Sequence, residues 1–193
     1  QRQMCIRDRL CAMSIGILCD DVFIYNQATE YYKYMEDHRY GESLHHLVWK
    51  LHPDERGPFG YFGQMQESNR DQGHAAMALA LAADLCGTGR NQGDDFYALK
   101  DDRIVCGFEY VNAYNSGVDD LPNSPYTNCD GTFMSMGDGG RGTNRPAQAR
   151  IVNYYENIRG IEVPYSRKML EMNENGIDAG GAVSYTHLTL PTN

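Results

Sequence analysis

No apolar run in this 193-residue chain reaches the roughly 18 residues that a membrane-spanning helix requires. No C-x-x-C pair occurs among the six cysteines, and Cys5 sits in an atypical terminal stretch. The other five, Cys11, Cys19, Cys86, Cys106 and Cys129, are an odd set, which argues against both a disulfide framework and a zinc site. Basic excess is missing too. The 17 Lys and Arg face 26 Asp and Glu for a net charge of −9, which speaks against a general nucleic-acid binder, since that would want a basic face. The paired acids Asp20-Asp21, Asp101-Asp102 and Asp119-Asp120 lack calcium-loop spacing and read as solvated pairs or caps. No alternating strand pattern of convincing length is visible.

What is present is an ordinary globular composition, 41% hydrophobic and 22% charged, at a length that makes one domain or two small ones. Fourteen Tyr against one Trp and six Phe favour aromatics that also hydrogen-bond, which suits a carbohydrate groove or a half-buried core. Gln1 to Arg9 and Val183 to Asn193 continue no neighbouring pattern and resemble translated library-adapter sequence. The expectation is that residues 1–9 and 183–193 stand outside the fold and that 10–182 is a window on a larger domain. Charge is unevenly spread. From Asp71 to Asp138 there are eleven acids and three bases. From Gly139 to Lys168, Arg141, Arg145, Arg150, Arg159, Arg167 and Lys168 outnumber Glu156 and Glu162, a stretch that would draw an anionic substrate or form a solvated basic surface.

Ile15, Leu18, Val22, Tyr25, Ala28, Tyr31, Tyr32 and Met35 recur at helical steps, so Leu10 to Met35 reads as one long helix. A short helix is expected over Glu42 to Leu51, and Pro53 to Gln64 reads as a glycine- and proline-broken loop. Ala75 to Ala83 is apolar on every side. It marks an innermost helix from Ser68 or Asn69 to Cys86, stopped at Gly87, with Asn69 and Gln72 as a capping box and Asp71 suiting the dipole. Cys86 and Cys106 read as small core residues. Further helices are expected over Lys100–Asn115, Pro146–Ile158 and Ser166–Glu174, with an irregular segment over Ser116–Thr143. The expected class is all-α, helices joined by long loops.

The candidate chemistry lies where the innermost helix begins. Glu67, Asn69, Arg70, Gln72 and His74 are carried to the edge of a core, where polar groups are costly unless paired or used. His74 in the first turns is held towards neutral imidazole by the helix dipole and so able to accept a proton. Donors from Asn69, Arg70 and Gln72 can draw charge off a carboxylate, and phenols can supply a proton. These are the parts for abstracting the proton α to a uronate carboxylate and protonating a leaving glycosidic oxygen, without a metal or cofactor. A salt-bridged helix cap of Glu67, Arg70, Asp71 and His74 is the plainer alternative.

Several stretches carry a resemblance: Gln66-Glu67-Ser68-Asn69-Arg70-Asp71-Gln72-Gly73-His74, Asn91-Gln92-Gly93-Asp94-Asp95, Gly107-Phe108-Glu109-Tyr110-Val111, Arg141-Gly142-Thr143-Asn144-Arg145-Pro146 and Asn153-Tyr154-Tyr155. Together they resemble the alginate-lyase family of (α/α) toroid polysaccharide lyases, in the branch with a Glu-x-x-Arg-Asp-Gln-Gly-His signature. The resemblance covers most of 10–165. It implies an incomplete (α/α) toroid of helical hairpins and a secreted or periplasmic bacterial enzyme. It also implies β-elimination on a uronic-acid polysaccharide, an anionic glycan being the partner. Glu67 then matches a carboxylate-neutralising residue and His74 the base. Tyr126, 52 residues beyond His74, or Tyr155 matches the acid, with Arg145 as companion. Asn69, Arg70 and Gln72 fall in the substrate-binding positions. Where the family pattern leads one to expect Asn-His-Tyr, this chain has Asn153-Tyr154-Tyr155. Tyr110 and Tyr114 read as packing residues. The competing readings are a glycoside hydrolase pairing Glu67 with Asp94 or Asp95 across the scissile bond, and a non-catalytic glycan-binding module.

Overall fold

The computed structural model describes residues 2–34, 43–128 and 130–172, with side chains from Ile6 onwards. In chain order the elements are α1 (Arg2–Leu18), α2 (Val22–Tyr34), α3 (Leu44–Leu47), β1 (Val48–Pro53) and β2 (Tyr61–Met65). They continue with α4 (Gln72–Asn91), α5 (Leu99–Asn115), β3 (Tyr126–Asn128), β4 (Gly131–Phe133), α6 (Gln148–Val152) and α7 (Pro164–Glu171). A 3-10 turn precedes β2, and α6 runs on into a π-helical stretch, Asn153–Ile158.

The all-α expectation is overturned, and with it the (α/α) toroid. Among the described residues the protein is mixed, seven helices with two small antiparallel sheets, β1–β2 and β3–β4. The physical reason is local. The strands are three to six residues long, and β2 is buried without a break from Phe62 to Met65, so no polar positions alternate along it. Gly63 has Val48 on one side and the Gly107 backbone on the other, leaving no room for a side chain. In β1 the register slips between Val48 and Lys50, which breaks the alternation there as well.

The expected helix over 10–35 is two. Asp20 takes a positive φ of 54°, and the Asp21 carboxylate accepts the N–H groups of Phe23 (3.0 Å) and Ile24 (3.1 Å) to start α2. Gly16 lets the Tyr25 backbone approach closely, so α1 and α2 pack as a hairpin. Residues 2–9, expected to stand outside the fold, form the first half of α1, and Ile6 is buried in the core. Residues 183–193 lie outside the described part.

The innermost helix is not α4 but α5. On α4, Met77, Ala80, Leu81 and Asp84 remain partly exposed, although the sequence around them is apolar. Every residue of α5 from Ile104 to Asn115 is buried, its polar groups included. Those groups are satisfied. The Asn112 amide donates to Gln148 Oε1 (2.8 Å) and Ser166 Oγ (2.9 Å), and the Asn115 amide to Gln72 Oε1 (3.2 Å). Glu109 accepts the N–H groups of Tyr165 (2.9 Å) and Ser166 (2.8 Å), capping α7 from a neighbouring helix. This accounts for the buried polar atoms that would otherwise be costly. Helix α4 also outruns its expected stop. It passes Gly87 to end at Asn91, because Gly89 makes room for the Phe96 ring rather than ending the helix.

Candidate functional site

Strand β2 ends at Met65 and the chain turns tightly over 66–70 before α4. The Glu67 carbonyl accepts the N–H groups of Arg70 (3.0 Å) and Asp71 (3.1 Å). The cap of α4 is Asp71, not Asn69: Asp71 Oδ1 accepts the His74 N–H at 2.8 Å. Asp71 Oδ2 also meets Nδ1 of the His74 ring. One carboxylate therefore starts the helix and fixes the imidazole, whose side chain stays 37% exposed. Sequence reasoning gave Asp71 a dipole role and, in the plainer alternative, a place in a salt-bridged cap with Glu67, Arg70 and His74, but no role in orienting the ring. The signal for more was its place three residues before a histidine at a helix start.

Glu67 precedes the helix and does not share a helical face with His74. Its side chain is 5% exposed and forms an ion pair with Arg70 Nη1 at 3.3 Å. Arg70 itself is 39% exposed and also approaches Asp130 (3.8 Å) in the β3–β4 turn. Its guanidinium is held above its usual range by the Glu67, Asp130 and Asp71 carboxylates, against the opposing effect of burial.

Asn69 and Gln72, expected to bind substrate, are buried and occupied. The Asn69 amide donates to the carbonyls of Ser124 (3.0 Å) and Phe133 (3.2 Å), and the Gln72 amide to those of Ser68 (2.9 Å) and Gly137 (3.0 Å). Gln64 adds donations to Asn69 Oδ1, Asn123 Oδ1 and the Ser124 carbonyl, accepts the Ser124 N–H, and faces His52 Nε2 at 2.8 Å. The Gly137 N–H reaches the Ser68 carbonyl, and the Gln72 N–H the Gly139 carbonyl. The segment 122–139 is therefore a strap bound across the motif by buried amides. Substrate-binding roles for Asn69 and Gln72 do not fit this arrangement, because their donors hold the strap.

Tyr126 lies on that strap. Its hydroxyl reaches Gln66 Oε1 (3.5 Å), next to Glu67, and its half-buried ring meets Trp49. Tyr155, the other candidate acid, is fully buried. Its hydroxyl donates to the Tyr97 carbonyl (2.9 Å), and burial pushes its pKa well above that of an ordinary phenol. It is packing, within a cluster with Tyr97 and Tyr154. Tyr110 is buried as expected. Tyr114 is buried too, with its hydroxyl on Asp138. Arg145 is exposed in the turn before α6, on no element of the motif.

The basic stretch is largely neutralised within the protein. Arg141 pairs with Asp119, Arg150 with Asp84, Arg159 with Asp102 and Arg167 with Glu156. Asp102 is thus a buried ion-pair member, not a solvated acid. The hydrolase pairing fails on distance. Between Glu67 and Asp94 or Asp95 stand the 20 residues of α4, a rod about 30 Å long. Two hydrolytic carboxyls need to be within roughly 5–9.5 Å. Asp94 and Asp95 instead accept the hydroxyls of Tyr25 and Tyr154 (2.6 Å each).

Cys86 and Cys106 are buried free thiols, pushed up to about 12 chiefly by burial, as core residues should be. Among the described residues no group of three or more His, Cys, Asp or Glu is placed to hold a metal ion, and no helix is long and apolar enough to cross a membrane. A cleft of about 350 Å³ lined by Glu156, Gly160, Ile161, Glu162, Pro164 and Arg167 opens at the start of α7 and shares no residue with the motif. Compared with family models, with curated proteins and with solved structures, the chain matches none of them.

Proposed function

We propose that the protein is a polysaccharide lyase that cleaves a uronic-acid glycan by β-elimination, secreted or periplasmic where such polymers are met. The observation that carries this reading is the Asp71–His74 pair at the start of α4, a carboxylate-oriented imidazole with a partly exposed ring. Through Nδ1 the Asp71 carboxylate fixes one edge of the ring and turns the other, Nε2, into the proton acceptor. His74 takes the C5 proton. The electron pair becomes the C4–C5 double bond, and the glycosidic C4–O bond breaks. Tyr126 gives its proton to the departing oxygen.

The developing negative charge on the uronate carboxylate needs a cation nearby. Arg70, anchored by Glu67 and exposed on its outer side, fits that role better than Glu67 itself. The motif resemblance adds support for the same chemistry, although the helical ring it implied is not the fold of this protein.

The test is a digest of mannuronate, guluronate and glucuronate polymers, read by the ultraviolet absorbance of an unsaturated product end. Absorbance should rise with one of them and fall to background with His74→Ala. Shorter chains without the absorbance, or a His74→Ala protein as fast as the parent, would end the lyase reading. Binding without any product leaves a glycan-binding module.

A further inference from the structure

Trp49 is the single tryptophan of the chain, and it sits where the β1–β2 register slips. A bulge places two residues opposite one and re-aims the side chain at that point. Here it brings the indole to Tyr126, with ring centres 5.4 Å apart and planes tilted at 46°. Both rings are half-buried. The next residue, Lys50, is exposed. Its ammonium stands 5.9 Å from the indole centre and donates to Ser124 Oγ at 2.6 Å.

We propose that Trp49, Tyr126 and Lys50 form a sugar-binding platform that takes an anionic pyranose ring of the glycan, next to the Glu67 turn. The C–H face of a pyranose suits the electron-rich face of an aromatic ring. Lys50 supplies a point charge for the carboxylate. Tyr126 joins the platform to the motif through Gln66, and Arg70 ties Glu67 to the hairpin that carries Tyr126. The identity of the glycan as a uronate rests on the lyase reading; the platform itself does not.

Trp49 is its own reporter. The intact His74→Ala protein, which leaves the ligand whole, is titrated with a glucuronate or mannuronate trisaccharide and with a neutral glucose trisaccharide. The uronate should change the tryptophan emission saturably and the neutral sugar much less. By calorimetry, Trp49→Phe should weaken uronate binding about tenfold. Lys50→Gln should weaken it roughly three- to fivefold. Lys50 is exposed, so its variant decides the matter if Trp49→Phe does not fold. Unchanged emission together with unchanged affinity in Lys50→Gln overturns the platform, and an equal response to the neutral sugar overturns the anionic assignment. Emission change with no unsaturated product from any polymer keeps the platform and ends the lyase reading. Product formation with no emission change does the reverse.

Discussion

At the scale of single residues, Asp71 does two jobs that substitution can separate. Asparagine caps a helix about as well as aspartate, so Asp71→Asn should change stability by less than about 1 kcal/mol. It replaces the acceptor-only carboxylate on Nδ1, however, and on the lyase reading turnover should drop by roughly 10²-fold. Initial rates beside thermal melts of the same protein check this, and an unchanged rate would leave Asp71 as a cap alone. Glu67, Arg70 and His74 were legible in the sequence because a dense polar run entering an apolar helix must be paired or used. Which acid meets which cation was not, although a salt-bridged cap of Glu67, Arg70, Asp71 and His74 was among the readings, since a cap and a ring partner leave the same letters. Tyr155 was misplaced for a related reason: a phenol in a core and one in a groove differ only in what surrounds them.

At the scale of elements, the strap over 122–139 and the turn over 66–70 hold each other. Asn69→Ala should remove about 1–3 kcal/mol of unfolding free energy, because it takes away three hydrogen bonds, from the Gln64 amide and to the Ser124 and Phe133 carbonyls. Arg70→Ala, at a partly exposed ion pair, should cost less than about 1 kcal/mol. Urea unfolding of the two variants distinguishes a structural amide from a functional cation, and equal losses would contradict the division drawn here. The helices α4 to α7 were readable from spacing, with ends off by a few residues. The strands were not. They are short, β2 is covered on both faces and β1 is bulged, so the two-residue rhythm that reveals a strand never develops. The loop reading of 116–143 was right in its irregularity but did not reveal β3, β4 or their grip on the motif.

For the molecule as a whole, the feature with the widest consequence is the fully buried Glu109 beneath α7. Burial raises its carboxyl to about 7, with a smaller push from Glu156, against the lowering effect of the Tyr165 and Ser166 hydrogen bonds. A carboxyl raised on folding holds its proton in the native state after the unfolded chain has released it. Unfolding then becomes easier as pH climbs from about 4.5 to about 7, by about 3 kcal/mol in total. Chemical denaturation across that range should show the decline, and Glu109→Gln should flatten it. A parent whose stability rises over the same interval would refute the assignment. Which helix lies innermost could not be judged from composition, because α5 owes its central place to polar side chains that find partners only once α4, α6 and α7 are in position.

The buried amides of the motif grip main-chain oxygens, the one chemical group every residue possesses. What the strap must preserve is therefore its length and path rather than its letters. Insertions and deletions there are the changes to fear, whereas its outward side chains are free to vary and, on the lyase reading, to tailor which polymer the molecule accepts.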